Sequence, residues 1–381
     1  MHTQDMPSLD IGGFQASVPI VQGGMGIGIS RAGLASAVAE QGGIGVISAV
    51  GLGMLDPGAK TGYEQANQQA LLREIRAARE KTAGLIGVNI MVALSDYDTL
   101  VQTAVDEEVD VLFLGAGLPL HFPQALPPER LRSMHTRLVP IVSSAKAAKV
   151  ILKYWSKRFQ RLPDAFVVEG PMAGGHLGFT REQIDDPNYA LHRILPQVVE
   201  VTGEYAQRFG RSIPVIAAGG VYTGQDIVDY FQLGASGVQM GTRFVATHEC
   251  DADIRFKEAF VQCSQKDLTI IQSPVGLPGR AIDNTFLQDV AQGKKKPFTC
   301  PWKCLKTCDY TQSSYCIACA LNQAKAGKLK HGFAFAGANA WRVNSIISVQ
   351  ELIQSLKDEY AACMLSQTLA PDGCQLCLRQ S

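Results

Sequence analysis

Several features that would point to other classes of protein are scarce or missing in this sequence. Only 18% of its 381 residues are charged and only 7% are aromatic, and its 35 lysines and arginines equal its 35 aspartates and glutamates. A balanced charge provides no long-range field that would attract nucleic acid or an anionic membrane. Because 46% of the residues are hydrophobic, the composition excludes extensive disorder and favours a well-buried core.

Long hydrophobic runs are also missing. The longest of note, IGVISAVGLGML, is interrupted by glycines and falls short of the roughly 18 residues that a membrane span requires. The first residues, MHTQDMPSLDIGG, have neither a basic start nor an apolar centre, so we expect no signal peptide. The sequence therefore predicts a cytoplasmic protein with no membrane partner and no nucleic-acid partner.

Cysteine is absent before Cys250, whereas eight of the ten cysteines lie at or beyond Cys300. This distribution disfavours enzymes that use a cysteine from an early loop as the nucleophile. Disulfides are not expected in a cytosolic chain, so the C-terminal cluster of cysteines needs its own explanation.

Eight short runs rich in Val, Ile and Leu predict strands, and helical patterns such as RAGLASAVAEQGG separate them. The runs are nearly continuous in apolar residues, as expected for strands that are covered on both faces. Eight strands alternating with helices predict an α/β protein with a closed (β/α)₈ TIM barrel. An open, doubly wound sheet is the alternative, but it would normally use fewer strands. The predicted strands lie within residues 16–23, 43–48, 85–91, 109–115, 138–144, 164–170, 213–220 and 236–242.

Glycine and polar residues concentrate where these predicted strands end. The segments are GGMG after the first strand, an asparagine in the third, SSAK after the fifth, EGPMAGGH after the sixth, AGGVYTG after the seventh and QMGTRF after the eighth. The loops that follow the strands of a TIM barrel surround a common crevice, where the active sites of such enzymes lie. The sequence therefore predicts a functional site at this end of the barrel.

The last two strand ends have the features of a phosphate site. Gly219 and Gly220 precede a helix for which Thr223 and Asp226 form a predicted capping box, and Gly241 begins a second glycine-bearing end. Unpaired backbone N–H groups and helix dipoles attract anions, and the loops after strands seven and eight commonly bind phosphate in this fold. The alternative is that these glycines only form tight turns.

The compound that carries the phosphate is predicted to be a mononucleotide. The GGMG segment, from Gly23 to Gly26, suggests backbone lying against a flat ring, and the amide of Asn89 can both donate and accept at the edge of a flavin. No G-x-G-x-x-G fingerprint opens the chain, so a tightly held NAD fits less well.

Together these segments resemble one family, the FMN-dependent nitronate monooxygenases, formerly called 2-nitropropane dioxygenases. The same superfamily includes the flavin-containing enoyl-acyl-carrier-protein reductases. The resemblance covers roughly residues 15–290 and rests on PIVQGGMGIGIS, GVNIM, AGGHLG, IPVIAAGGV and GVQMGTRF. It implies a (β/α)₈ barrel that holds noncovalent FMN and acts on a small-molecule substrate.

The resemblance also implies roles for individual residues. The flavin ring system would contact Gly23, Gly24, Met25 and Asn89, and its flank would be lined by Glu169 and Gly174. The ribityl phosphate would be held by Gly219, Gly220, Gln239, Met240, Gly241 and Thr242. His176 falls on the active-site histidine of the family.

The position of His176 accounts for the segment EGPMAGGHLGF. Gly174 and Gly175 would let the backbone pass close to the flavin, which a Cβ atom would prevent. An imidazole, with an ordinary pKa of roughly 6.5, can exchange a proton or bind a substrate anion at neutral pH. The implied reaction is oxidation of an alkyl nitronate or nitroalkane by FMN, followed by reoxidation with O₂. His176 would orient the nitro group or remove the α-proton.

Two other functions stay open at this stage. An NAD(P)H-dependent enoyl-acyl-carrier-protein reductase on the same scaffold would act on an acyl thioester. A non-catalytic flavin- or metal-binding protein belongs to a different class, and the titratable group at His176 disfavours it.

We expect the barrel to occupy residues 1–290 and a small, mainly helical, cysteine-rich appendage to occupy residues 291–381. The later part of this appendage, HGFAFAGANAWRV and a final amphipathic helix, is expected to contribute structure rather than chemistry. It could also cover the flavin, or a partner subunit in a homodimer.

The cysteine-rich segment is CPWKCLKTCDYTQSSYCIACAL. Cys300, Cys304 and Cys308 recur every four residues and would share one face of a helix if that stretch were helical. Together with Cys316 they could form a tetrahedral thiolate site for zinc or an iron–sulfur cluster. The spacing matches no standard zinc-finger or ferredoxin pattern, and free buried cysteines in a helical cap are the alternative. A separate C-x-x-C pair begins at Cys374.

Overall fold

The computed structural model of the chain describes residues 5–56, 62–295 and 297–369. Its centre is a sheet of eight parallel strands that neighbour one another in their order along the chain. Val21 of the first of these strands also forms a parallel bridge with Ile44, so the sheet closes on itself. The TIM barrel predicted from the sequence is confirmed, and each predicted run overlaps one of its strands.

Short connections and a second sheet complete the β-structure. The barrel strands are β3 (Ile20–Gln22), β4 (Gly45–Ser48), β5 (Ile86–Met91), β6 (Val111–Gly115), β7 (Arg137–Val142), β8 (Phe166–Glu169), β10 (Val215–Ala218) and β11 (Gly237–Met240). The others are β1 (Leu9–Ile11) and β2 (Phe14–Ala16), which form a hairpin, and β9 (Gly175–His176), β12 (Leu268–Gln272) and β13 (Pro278–Ile282), which form an antiparallel sheet.

Helices pack around the barrel between its strands, and local signals set several of their ends. Residues 300–308, where the spacing of the cysteines would suit a helix, form none. Ser144 caps one helix by accepting a hydrogen bond from the amide of Ala147, and Gly210 ends another in the left-handed conformation. The α-helices are α1 (Ala32–Glu40), α2 (Tyr63–Lys81), α3 (Tyr97–Asp106), α4 (Pro128–Ser133), α5 (Ala145–Arg158), α6 (Arg181–Ile184), α7 (Leu191–Phe209), α8 (Gly224–Gln232), α9 (Thr242–Val245), α10 (Ile254–Val261), α11 (Thr285–Ala291), α12 (Ile317–Lys325) and α13 (Val349–Leu369).

The interior of the barrel is an apolar core that is separate from the layer between strands and helices. Val46, Phe113 and Val167 belong to this interior core, whereas their neighbours along each strand face the helices. The β1–β2 hairpin contributes Leu9 and Ile11 to the same core. The hairpin therefore closes the amino end of the barrel. Within the described residues, only the carboxyl end of the barrel interior can open onto a site.

The chain after residue 290 shares its hydrophobic core with the barrel. The buried residues Ala336, Val349 and Leu352 belong to the same cluster as the outer faces of the barrel strands. Helix α13 lies against α8, and the amide of Gly224 in α8 donates a hydrogen bond to a carboxylate oxygen of Glu359 in α13 at 2.7 Å. The boundary at residue 290 stays a prediction. Residues 370–381, with the C-x-x-C pair that begins at Cys374, lie outside the described residues.

Within the described ranges, the helices are too short or too polar for any of them to cross a lipid bilayer.

Candidate active site

A cavity of about 310 Å³ lies at the carboxyl ends of the barrel strands. Its wall includes His176 and every residue that the sequence suggested for the flavin: Gly23, Gly24, Met25, Asn89, Glu169, Gly174, Gly219, Gly220, Gln239, Met240, Gly241 and Thr242. These residues come from five different strand ends, which only a closed barrel brings together.

The loop after β3 is fixed by hydrogen bonds from buried polar side chains. The side chain of Gln22 bridges the carbonyl of Gly23 and the amide of Val46, the latter at 3.0 Å. A Cβ atom on Gly24 would lie 2.4 Å from Cβ of Asn89, so this glycine is required by the neighbouring side chain. The sequence-based interpretation attributed the glycines to a flat ring, whereas packing within the protein already demands this one.

The loop after β10 is held in a conformation that favours glycine. Gly219 and Gly220 have φ angles of +90° and +100°. Thr223 and Asp226 form the predicted capping box of α8, which is confirmed. However, the Asp226 carboxylate accepts from the amide of Thr223, and the first amide of α8 already donates to Glu359. The start of α8 is therefore satisfied by protein groups, and a phosphate must rely on other donors.

Gly241, after β11, is different from the other glycines. A Cβ atom built there meets nothing closer than the sulfur of Met25, at 3.5 Å, which is an ordinary van der Waals distance. Packing within the protein therefore does not require glycine at this position, yet the residue lines the cavity. A methyl group here would occupy cavity space. The glycine-bearing loops after β10 and β11, which we call the glycine cradle, therefore fit a group that approaches the backbone closely, such as the phosphate end of FMN.

The C-terminal part of the chain completes this end of the cavity. The amide of Gly337 donates to the hydroxyl of Thr242 at 3.1 Å, and the side-chain amide of Asn339 donates to the carbonyl of Gly220 at 2.7 Å. A Cβ atom on Gly174 would lie 2.6 Å from the amide nitrogen of Gly337. Gly174 therefore permits close approach of this segment, where the sequence-based interpretation expected close approach of the flavin.

Two arginines lie beside the same end of the cavity. The ring of Tyr222, which lines the cavity, has the Arg243 guanidinium 5.0 Å from its centroid and the Arg342 guanidinium 4.3 Å from it. Cations in this position favour an anionic ligand nearby. Sequence reasoning missed Tyr222, Arg342 and the contacts of segment 335–339; the glycine-rich AGANA was the only local signal for the last of these.

His176 lies in the short strand β9, where its backbone pairs with Gly279 of β13. Its Nε2 atom is 2.8 Å from the hydroxyl of the buried Ser273, and its ring contacts Phe335 edge-on, with centroids 5.0 Å apart. Burial lowers the pKa of His176 to about 4, because the charged form loses hydration. The imidazole is therefore neutral at neutral pH.

Three polar side chains face the cavity without a hydrogen-bond partner among the described residues. They are Asn89, Glu169 and Gln239, each partly exposed to the cavity. Buried polar groups are normally paired, so unpaired ones in a cavity favour a polar ligand. Burial raises the pKa of Glu169 to about 7, which keeps part of this carboxyl group protonated at neutral pH.

The remaining wall of the cavity is apolar. Ile27, Val50 and Met54 line it from the first two strand ends, and Leu305 and Ile317 line it from the cysteine-rich segment. Ile27 and Met54 form a buried cluster with Cys304, against which Leu305 packs. This part of the cavity suits a hydrocarbon group.

The four thiols predicted as metal ligands line a second cavity, of about 330 Å³, next to this wall. Cys300, Cys304, Cys308 and Cys316 all line it. Within the described residues, however, no group of three or more His, Cys, Asp or Glu side chains is arranged to hold a metal ion. The zinc or iron–sulfur site predicted from the spacing therefore gains no support, because proximity without convergent ligand geometry does not make a metal site.

Comparisons with known proteins give one family and one fold. The profile of the nitronate monooxygenase family matches residues 9–359. A probable nitronate monooxygenase of Staphylococcus aureus (strain Newman) is 28% identical over 310 residues, which are 72% of this chain and 78% of that protein. Among solved structures, FabK from Thermotoga maritima is 27% identical, has a TM-score of 0.71, and is matched over 92% of this chain and 95% of FabK.

A nitroalkane oxidase from Streptomyces ansochromogenes, 22% identical, has a TM-score of 0.68 over 92% of this chain and 97% of that one, which supports the fold. The family match is longer than the resemblance noted from the sequence and extends through the cysteine-rich segment into α13. The chain belongs to the nitronate monooxygenase family and is an FMN-dependent oxidoreductase.

Proposed function

We propose that this enzyme oxidises alkyl nitronates and nitroalkanes with bound FMN, using O₂ as the electron acceptor. The observation that carries the proposal is the presence in one cavity of a glycine cradle, unpaired polar side chains and the neutral imidazole of His176. Family membership supports the reaction class.

In this proposal the loop after β3 and the loops after β10 and β11 would hold the two ends of FMN. The residues that would contact its ring system are Gly23, Gly24, Met25 and Asn89, with Glu169 and Gly174 at its flank. The residues that would hold its ribityl phosphate are Gly219, Gly220, Gln239, Met240, Gly241 and Thr242. Arg243 and Arg342 add positive charge near that end. FMN supplies the redox chemistry, and the protein supplies position and electrostatics.

His176 acts in this proposal as a hydrogen-bond donor that orients the substrate. The hydroxyl of Ser273 accepts from the amide of Val275 at 3.4 Å, which leaves its own proton to donate to Nε2 of His176. The ring proton is then on Nδ1, which has no partner among the described residues and can donate to a nitro oxygen. A neutral imidazole with a pKa of about 4 is a weak base, so orientation is favoured over removal of the α-proton.

The apolar wall formed by Ile27, Val50, Met54, Leu305 and Ile317 would hold the alkyl group of the substrate. Burying each methylene group there contributes about 0.8 kcal/mol to binding. Longer primary nitronates should therefore bind more tightly than short ones until the wall is filled.

The second candidate is an NAD(P)H-dependent enoyl-acyl-carrier-protein reductase. The similarity to FabK of Thermotoga maritima, at 27% identity, favours it, and the same apolar wall would accept an acyl chain. Cytoplasmic location and a homodimer stay predictions from the sequence.

The two candidates differ in what reduces the flavin. The purified protein should be yellow and should release FMN on denaturation. In an anaerobic stopped-flow instrument, an alkyl nitronate should bleach the flavin absorbance within the turnover time, and NADPH should not. Rapid bleaching by NADPH alone would favour the reductase, and a colourless protein that does not bind added FMN would contradict both.

A further inference from the structure

Cys316 and Cys319 form a C-x-x-C pair at the start of α12. Cys316 immediately precedes the helix, and its sulfur accepts a hydrogen bond from the amide of Cys319 at 3.5 Å. The two thiols are also hydrogen-bonded to each other, which, with burial, raises the pKa of Cys316. Neither cysteine is in a disulfide in this structure.

Two features of this pair suit formation of a disulfide. A spacing of three residues at a helix start brings the two α-carbons to the separation that a disulfide needs, and here the two thiols already share a hydrogen bond. Cys319 is exposed and Cys316 is half-buried, so an oxidant in solution can reach one sulfur while the other lies behind it.

We propose that Cys316 and Cys319 are a dithiol that peroxide oxidises to an intramolecular disulfide. The Cys319 thiolate attacks one oxygen of hydrogen peroxide, the O–O bond breaks, and Cys319 becomes a sulfenic acid while hydroxide leaves. The sulfur of Cys316 then attacks the sulfur of Cys319; the S–S bond forms, the S–O bond breaks, and a water molecule leaves with the proton of Cys316. The two thiols lose two electrons, and one peroxide becomes two water molecules.

The position of the pair gives this oxidation a structural consequence. The two residues between the cysteines, Ile317 and Ala318, both line the active-site cavity. A disulfide would fix the first turn of α12 and with it this part of the cavity wall. The site is separate from His176 and from the proposed FMN cradle, so the oxidation does not depend on the proposed function.

Mass spectrometry of the intact protein tests the proposal. The protein is reduced, freed of reductant and treated with one equivalent of hydrogen peroxide. We expect a loss of the mass of two hydrogen atoms, and fragmentation of the tryptic peptide TCDYTQSSYCIACALNQAK should place the link between Cys316 and Cys319. Because this measurement uses the unmodified protein, it decides the question even if variants fold poorly.

Three variants test the proposal further. Cys316→Ser should stop at a sulfenic acid on Cys319 that dimedone traps, and Cys319→Ser should keep its mass. Cys363→Ser, which changes a half-buried cysteine on α13, should form the disulfide like the unmodified protein. The proposal is overturned if the pair stays reduced, if the link involves Cys308 or another cysteine, or if elemental analysis finds one zinc ion per chain that protects both thiols.

Discussion

The two ends of the barrel are built from the same strands but in opposite ways. At the amino end, the β1–β2 hairpin seals the interior, and the buried Asp164 pairs with Arg161 and Arg211 and accepts the amide of Leu138 at 2.8 Å. At the carboxyl end, Asn89, Glu169 and Gln239 face a cavity and have no hydrogen-bond partner in the described part of the chain. Polar groups at the amino end are thus satisfied by the protein itself, whereas those at the carboxyl end are open to a ligand.

Breaking the amino end should have the largest effect on stability. Asp164→Ala leaves two arginines and an amide without their shared acceptor, and Arg161 is itself buried. Removing one partner from a buried ion pair costs about 3–5 kcal/mol. Denaturant unfolding should show this loss in the free energy of unfolding, while the FMN content of the folded fraction stays unchanged.

The control for this prediction is an ion pair on the surface. Asp289→Ala removes the partner of Lys294, whose side chain is largely open to solvent, and the Asp289 side chain is itself partly exposed. Exposed pairs contribute little to stability, so its unfolding midpoint should not move. If both substitutions have the same effect, the amino end is not the stabilising end.

At the carboxyl end, His176→Ala should lower activity, and loss of the hydrogen bond to Ser273 should lower the free energy of unfolding by only about 1–3 kcal/mol. A hydrogen bond to a charged substrate contributes about 1.5–3 kcal/mol, which corresponds to a loss of roughly 10- to 100-fold in kcat/KM. The His176→Asn variant, whose side-chain amide replaces the ring N–H as a hydrogen-bond donor, should recover part of this loss. Because burial lowers the pKa of His176 to about 4, the ring of the unmodified enzyme stays neutral at neutral pH, and a decline due to its protonation should appear only as the pH falls towards 4.

Unchanged turnover in His176→Ala, measured at equal FMN content, would contradict the orienting role. A decline with a midpoint near the ordinary histidine value would show that the ring is not desolvated in the working enzyme.

Gly241→Ala should weaken FMN binding and leave the fold intact. The added methyl group meets no protein atom closer than 3.5 Å, so the unfolding temperature should change little, but the methyl group occupies cavity space. We expect about tenfold weaker FMN binding, or about 1.4 kcal/mol. Titration of the apoprotein with FMN, followed by quenching of flavin fluorescence, measures it.

A glycine elsewhere provides the matched control for this substitution. A Cβ atom on Gly203, within α7, meets no atom within 4 Å, and this residue does not line the cavity. Gly203→Ala should therefore leave the affinity for FMN unchanged. Equal affinities for the two alanine variants would exclude Gly241 from the cradle.

The smallest expected effect concerns Glu169. Burial raises the pKa of this carboxyl group to about 7, and a ligand that covers it removes more water and favours the protonated form further. FMN binding should therefore take up a proton, and the affinity should fall as the pH rises through about 7. The Glu169→Gln variant should bind FMN with a flatter pH dependence. The phosphate of FMN titrates equally with both proteins, so identical pH profiles would rule out Glu169 as the source of the pH dependence.

The barrel could be predicted from the sequence because each of its strands is a local, nearly continuous apolar run. The cavity residues could be predicted for a related reason: the carboxyl ends of parallel strands meet in a closed barrel, so Gly23 and Thr242 must approach one another. The capping box at Thr223 and Asp226 depends on residues three apart, and it too was predicted and confirmed.

What the sequence could not provide depends on contacts between distant parts of the chain. Ser273 is far from His176 along the sequence, and Gly337 is far from Thr242, and no local pattern marks either contact. The packing requirement for some of the glycines was missed for the same reason. Gly24 and Gly174 are required by side chains and backbone of other segments, which a motif does not reveal.

The hydrogen bonds from Gly337 and Asn339 to the far side of the cavity have a consequence for biosynthesis. Ribosomes make the chain from its amino terminus, so all eight barrel strands emerge before the segment that finishes their common mouth. A nascent chain that has passed residue 290 could fold its barrel and still lack one wall of the cavity. Retention of the flavin would then become complete only after residues 337–339 have been made.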